Sequence, residues 1–438
     1  MPTFEVRGLS IRIAEGDGAQ AGASAQRVGL VKTKDGWRIE TPVQADADAR
    51  MVESQIAALE ALQANRFIQT PDASPAAYGL TNPAMRVSLE GNQRQTLLLG
   101  RSVPQQKPAQ YYAQLEGNPA IFTVNAALFD ALKNAQELLR ERHILPFDPA
   151  ALSAIDIVDE HGARVRLQVL ENGSWQVMGE ANGTRLEPIR ADDNEVARLV
   201  GALRTLKAGA FTNDAPTQEN LSAYGFDKPL RTVTLSLQNS EPLVLTLGSM
   251  QTEEGKLLYA RTNRAQGVYQ VHPAILMLLS LQSAQYRWRV LEQLPAPAML
   301  TRLSLKDLSA GKVIFEGNPA ELPKELDEAK KAAVQQIAAA LKNFEVAQYL
   351  EKSSDEGCYH DGRLLPWRYE LTGSAALSSG ADAKTQALAY RFTARQGGTV
   401  QGGFSAQSNT AFLLAQPLID ALFTLTDEAP AAAPAAQK

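Results

Sequence analysis

Apolar residues recur at helical spacing three times along the chain. Val196, Leu199, Val200, Leu203 and Leu206 fall at i, i+3, i+4, i+7 and i+10, one face of a 3.6-residue period. Val52, Ile56, Leu59 and Leu62 form a similar stripe, and so do Val334, Ile337, Leu341 and Phe344. Each predicts an amphipathic helix. Beyond these stripes the period becomes two. Val87 and Leu89, and then Val233, Leu235 and Leu237, alternate with polar residues, as half-buried strands do. Residues 111–115, 121–124, 257–261 and 268–271 read as further strands. Trp37 and Trp175 each follow a turn, Asp35-Gly36 and Asn172-Gly173-Ser174, and open an alternating run, the signature of a hairpin strand. Second helices are expected over 126–141, 272–283 and 416–425. The expected class is α+β, with each unit a mostly antiparallel sheet and two helices packed on one face.

The same order of features occurs twice. Pro42–Asp46 returns as Pro188–Asp192, and Tyr78-Gly79-Leu80 returns as Tyr224-Gly225-Phe226. Pro83 and Pro229 follow these turns. Leu97–Gly100 matches Leu245–Gly248, Phe122–Val124 matches Tyr269–Val271, and Arg140 and Arg142 match Arg287 and Arg289. All hold one offset of 146–148 residues, which marks tandem internal repeats. Trp37 and Trp175 are closer by eight residues, consistent with an insertion in the second copy near 180–186. A degenerate third copy shows in Gln336–Ala339 and in Phe412–Leu422, without the Tyr-Gly turn. The expected layout is repeat 1 over 1–150, repeat 2 over 151–298, a decayed repeat over 299–427 and a Pro/Ala-rich flexible tail over 428–438.

Composition narrows the classes. The 438 residues are 45% hydrophobic and 21% charged, which fits folded domains rather than disorder. A net charge of −5 supplies no overall drive toward nucleic acid, and none is expected as a partner. One cysteine, Cys358, excludes an intrachain disulfide and thiolate zinc clusters. The start carries charged residues where a signal peptide is apolar, and the longest apolar run, around 275–279, is far shorter than a membrane span. The chain as given therefore reads as soluble.

Candidate chemistry is sparse. Phosphate-loop and His-Glu-x-x-His motifs do not occur. Gly16–Gly22 has the wrong spacing for a dinucleotide loop and reads as a hairpin loop. Gly403–Gln407 has Gln407 where a nucleophile elbow needs glycine. Cys358 and His360 point the same way in a strand, but two ligands do not make a metal site. Asp46 and Asp192 precede the helical stripes and read as N-caps, with the acidic cluster 192–195 compensating the helix dipole. Tyr78-Gly79 and Tyr224-Gly225 read as tight turns, the glycine at positive φ. Arg140, Arg142, Arg287 and Arg289 read as charges at helix C-termini, with an anion or a partner carboxylate as the alternative. No catalytic, cofactor or metal residue is assigned.

Gly36-Trp37, Pro42–Asp46, Tyr78–Pro83, Leu97–Gly100 and Tyr111–Ala113 come in that order, and recur as Trp175, Pro188–Asp192, Tyr224–Pro229, Leu245–Gly248 and Tyr259-Ala260. This ordered set resembles the bacterial domain-of-unknown-function 4340 family over about residues 25–300. The resemblance implies an extracytoplasmic domain on the periplasmic side of the inner membrane. It implies a single N-terminal membrane anchor, so that the sequence as given is expected to be either a trimmed ectodomain or anchored differently, and an ABC-2-type exporter permease or gliding-motility-type auxiliary subunit as partner. The expectation is a non-enzymatic binding or scaffold module of the bacterial envelope. The alternative is a periplasmic glycan-binding protein or glycan-active enzyme with a cleft between repeats, in which Trp288, Tyr359 and Trp367 stack on sugar rings. A third reading is an assembly scaffold joined through sheet edges.

Overall fold

In a computed structural model, residues 4–14, 26–69, 74–181, 184–185, 187–253, 255–350, 352–378 and 384–426 are described. Three predominantly antiparallel sheets follow one another along the sequence. The first comprises β1 (Gly8–Ile13), β2 (Gln26–Thr33), β3 (Gly36–Thr41), β4 (Ala45–Asp46), β5 (Arg66–Phe67), β6 (Met85–Glu90), β7 (Arg94–Ser102), β8 (Gln110–Leu115) and β9 (Ile121–Asn125), with α1 (Ala49–Glu60) between β4 and β5. Its order is β4-β3-β2-β1-β6-β7-β8-β9-β5, which leaves the two-residue β5 at one edge. Val52, Ile56 and Leu59 of α1 share a core with Leu9, Ile11, Leu30, Val87 and Leu99, so the helical stripe and the alternating strands bury into the same place.

The second sheet comprises β10 (Leu152–Val158), β11 (Arg164–Val169), β12 (Trp175–Ala181), β13 (Thr184–Arg185), β14 (Ile189–Arg190), β15 (Ala210–Asn213), β16 (Arg231–Leu237), β17 (Leu243–Thr252), β18 (Gly255–Thr262) and β19 (Val268–Val271). It runs β13-β12-β11-β10-β16-β17-β18-β19-β15, and its helix is α2 (Asp193–Arg204). The order copies the first sheet, with β13 added. That added strand pairs with the end of β12 and is the insertion inferred from the tryptophan spacing. The third sheet holds the helix Glu328–Lys342, followed at once by the strand Asn343–Leu350, which pairs with Thr410–Leu414. By packing, the chain divides into two compact units. One is residues 1–146 with 204–224 and 249–272; the other is 147–203 with 225–248 and 273–438.

Three expectations need correction. The closing helix is continuous only at Gln416–Thr426. In the first repeat it breaks into Ala127–Leu132 and Ala135–Leu138, because Asn134 leaves helical geometry at φ −108°, ψ 33°. In the second it shrinks to Ile275–Leu278, ended at Leu279 with ψ 54°, and a 3-10 turn at Ser283–Tyr286. The cap of α1 is Asp48, whose Oδ1 accepts the Met51 amide at 3.0 Å, not Asp46. Asp46 lies in β4 opposite Arg38, where the second repeat has Arg190 opposite Gln176. Structurally Ala47-Asp48, not Ala45-Asp46, is the counterpart of Ala191-Asp192, so the sequence match is two residues out of register. Asp192 does cap its helix, accepting from Asn194 and Glu195 at 2.9 and 3.3 Å. Finally, the paired arginines do not serve helix ends, as their contacts below show.

Candidate binding site

Arg140 bridges to Ala47, and the residues after it form an extended segment along 206–208, just before β15. The Ala208 amide donates to the Arg142 carbonyl at 2.8 Å, and the Ile144 amide donates to the Leu206 carbonyl at 3.2 Å. Arg142 Nη1 donates to the carbonyls of Ala208 and Gly209, each at 3.0 Å. The Arg140 guanidinium stacks on Phe211, 4.0 Å from the ring centroid, and meets Asp214 at 2.5 Å. Only 7% of the Arg140 side chain is exposed. A guanidinium so buried needs both a carboxylate and an aromatic face.

Residues 287–289 repeat the arrangement on the third sheet. The Val346 amide donates to the Arg289 carbonyl at 2.9 Å, and Arg289 Nη1 donates to the Ala347 carbonyl. The Arg287 guanidinium stacks 4.0 Å above Tyr349. Arg289 also faces Glu195 at 3.3 Å and Asp192 at 3.9 Å. The Tyr349 hydroxyl donates to the Trp288 carbonyl at 2.8 Å, and burial raises its pKa. Carboxylates, carbonyls and aromatic rings therefore hold these guanidinium groups in place of helix-end carbonyls: Asp214 and Phe211 for Arg140, the Ala208 and Gly209 carbonyls for Arg142, Tyr349 for Arg287, and Glu195 and Asp192 for Arg289.

The first repeat carries a cavity of about 290 Å³. Leu59, Leu62 and Ala64 line one side, and Val87, Leu97, Leu115 and Phe122 another, with Gln95 and Asn118 as the polar lining. Phe67, from β5, completes the wall; it is 57% exposed and packs on Phe122 at 5.8 Å. An apolar cavity with few polar groups suits an aliphatic or aromatic side chain. Nothing in the hydropathy pattern announced it, since a β5 of two residues is too short to show a period.

The residues singled out from sequence each have their own surroundings. Trp37 is buried beneath Lys32, whose Nζ is 5.9 Å from the ring centroid, while Trp175 is half-buried at the start of β12. Gly79 (φ +72°) and Gly225 (φ +80°) adopt the left-handed conformation expected of the two turns. Their tyrosines pack at a tilt against strand tyrosines: Tyr78 on Tyr112, and Tyr224 on Tyr259, each at 4.7 Å. Gly100 lets the first turn sit down, because a Cβ there would come within 2.0 Å of the Tyr78 carbonyl oxygen. Trp288 lies under the Arg190 guanidinium at 3.9 Å. Trp367 packs on Phe404 and joins the small core around Cys358, while Tyr359 is exposed.

Cys358 is fully buried, and that burial pushes its thiol up to about 11. His360 Nε2 is 3.4 Å from Asp361. Among the described residues no three His, Cys, Asp or Glu side chains group as metal ligands. Ser405 is buried and donates to Glu292, which also receives the Tyr390 hydroxyl. The glycine-rich stretch 16–22 lies outside the described residues.

A family profile described as a domain of unknown function (DUF4340) matches residues 37–190 and again 184–360. The chain belongs to the DUF4340 family. The first matched region runs from β3 through β14, and the second from β13 into the third sheet, past the Arg287–Arg289 segment. No curated relative and no solved structure matches the chain. Among the described residues no helix is long and apolar enough to cross a membrane, which says nothing of a β-barrel.

Proposed function

We propose that this DUF4340 chain is a non-catalytic binding and scaffold module on the extracytoplasmic side of the bacterial inner membrane, an accessory component of an ABC-2-type export system. Its sequence repeats, over 1–150, 151–298 and 299–427, each set helices against a sheet and present their edges to a protein partner, an exporter permease or auxiliary subunit. The observation that carries the binding reading is the apolar cavity of the first repeat with Phe67 at its wall. A wall of aliphatic and aromatic side chains supplies binding free energy at roughly 25 cal/mol per Å² buried and no acid, base or nucleophile. The charged clusters support the same reading, since Arg140 with Asp214 and Arg289 with Asp192 and Glu195 join successive parts of the fold. The test is affinity purification of the full-length protein from its own cells after crosslinking. An exporter subunit recovered in proportion to the chain supports the reading; recovery of the chain without one sinks it.

A further inference from the structure

The fold uses one joint twice, and the receiving half of a third is present in the first repeat. Position by position, Leu206, Ala208, Gly209 and Phe211 correspond to Phe344, Val346, Ala347 and Tyr349. The amide of Ala208 or Val346 takes the carbonyl of Arg142 or Arg289. The carbonyl of Gly209 or Ala347 takes the guanidinium of the same arginine. The ring of Phe211 or Tyr349 lies under Arg140 or Arg287 at the same 4.0 Å. The inserted segments share a sequence, Arg140-Glu141-Arg142-His143-Ile144 and Arg287-Trp288-Arg289-Val290-Leu291, which reads Arg-x-Arg-x-aliphatic. The aliphatic residue goes inward in both: Ile144 is buried, and Leu291 packs against the core of the third sheet.

In the first repeat the matching receivers are Leu62, Ala64, Asn65 and Phe67. The Asn65 amide donates to the Thr123 carbonyl at 2.8 Å, as the Gly209 amide does to the Gln270 carbonyl at 2.8 Å. Phe67 pairs across its sheet with Phe122, as Phe211 does with Tyr269 and Tyr349 with Phe412. Among the described residues no segment runs along 62–65 and no cation lies over Phe67; β5 is the last strand of its sheet. Tyr349, under its arginine, is 3% exposed, whereas Phe67 is 57% exposed and borders the cavity.

We infer that this open edge receives an extended segment of a partner protein bearing Arg-x-Arg-x-Ile/Leu. The first arginine stacks on Phe67, the second bonds the Asn65 carbonyl, and the aliphatic residue enters the cavity. Strand addition to a free sheet edge supplies the main-chain bonds, and the pockets supply the choice of side chain. A second copy of this chain does not fit, since both of its own such segments are already held inside its fold. The inference rests on the binding-module reading and names the chemistry of the partner.

The probe is a fluorescein-labelled peptide of residues 138–146 of this chain, Leu-Leu-Arg-Glu-Arg-His-Ile-Leu-Pro, titrated against the full chain by anisotropy. Saturable binding is expected. It weakens at least about tenfold with Phe67→Glu, and by about tenfold when the first arginine of the peptide becomes alanine, the loss of one desolvated cation–π contact. Phe67→Tyr retains it, as Tyr349 does natively. Circular dichroism confirms that the exposed-edge variants fold. Absence of binding at millimolar peptide overturns the inference, as does binding indifferent to Phe67→Glu. Self-association of the chain that Phe67→Glu abolishes would also overturn it, by making a second copy the occupant. Because no exporter subunit enters the assay, loss of peptide binding with subunit crosslinks intact sinks this inference alone. Binding by these rules without any exporter crosslink sinks only the export reading.

Discussion

Gly100 shows how a glycine inside a strand becomes a fixed requirement. The Tyr78-Gly79 turn lies so close that a methyl group at residue 100 has nowhere to go. Gly100→Ala is expected to cost about 2–3 kcal/mol, at the upper end of overpacking, read as a lowered thermal midpoint. Cys358 makes a second prediction. Burial raises its thiol from 9 to about 11, and raises the Tyr286 hydroxyl to about 12. Both groups bind their protons more tightly when folded, so the stability they contribute is complete below pH 9. It falls as the pH climbs from 9 through 12. Chemical denaturation at pH 8 and pH 11 checks the sign. At pH 8 a thiol reagent should label Cys358 only after unfolding. The turn glycines were legible in the sequence, because only glycine takes positive φ without strain. The burial of Cys358 was not, since a Cys-Tyr-His run reads equally well as a polar loop.

Elements were legible where their period was long. The three stripes are helices as far as Leu59, Leu203 and Leu341, while their last expected members, Leu62, Leu206 and Phe344, lie past the helix ends; the alternating runs are strands, because burial on one face dictates both patterns. Short elements failed. The expected closing helices carry apolar residues at useful spacings, yet Asn134 and Leu279 end them after a turn or so, and no helix-sized stripe survives to outweigh the break. The Asp46 error has the same origin. A five-residue match in sequence ignored a two-residue difference between the strands, and only the ladder opposite Arg38 and Gln176 reveals it. The two registers separate by experiment. Asp48→Ala should cost about 1 kcal/mol through loss of a helix cap, while Asp46→Ala, at an exposed strand position, should stay within about 0.5 kcal/mol. Arg140→Ala strips Phe211 of its cover and leaves Asp214 without its partner. A loss of about 2 kcal/mol is expected, and a double-mutant cycle with Asp214 measures the share due to the pair.

At the scale of the molecule, the duplication was the most legible feature, since five ordered matches at one offset leave little room for chance. What joins the copies was written there too. The Arg-x-Arg pairs recur at the same offset, but assigning them to helix ends hid their role until their carbonyl and aromatic partners were seen. The cavity and the uncovered Phe67 could not be read from the chain, because they arise where a joint lacks its incoming half. We propose that a DUF4340 chain built this way holds a protein partner at the envelope. Crosslinking with mass spectrometry on the full-length protein in its own cells tests it most directly. The expected result is an ABC permease or auxiliary subunit crosslinked to the chain. Co-purification of a glycan or small ligand, with no protein crosslinked, would contradict it.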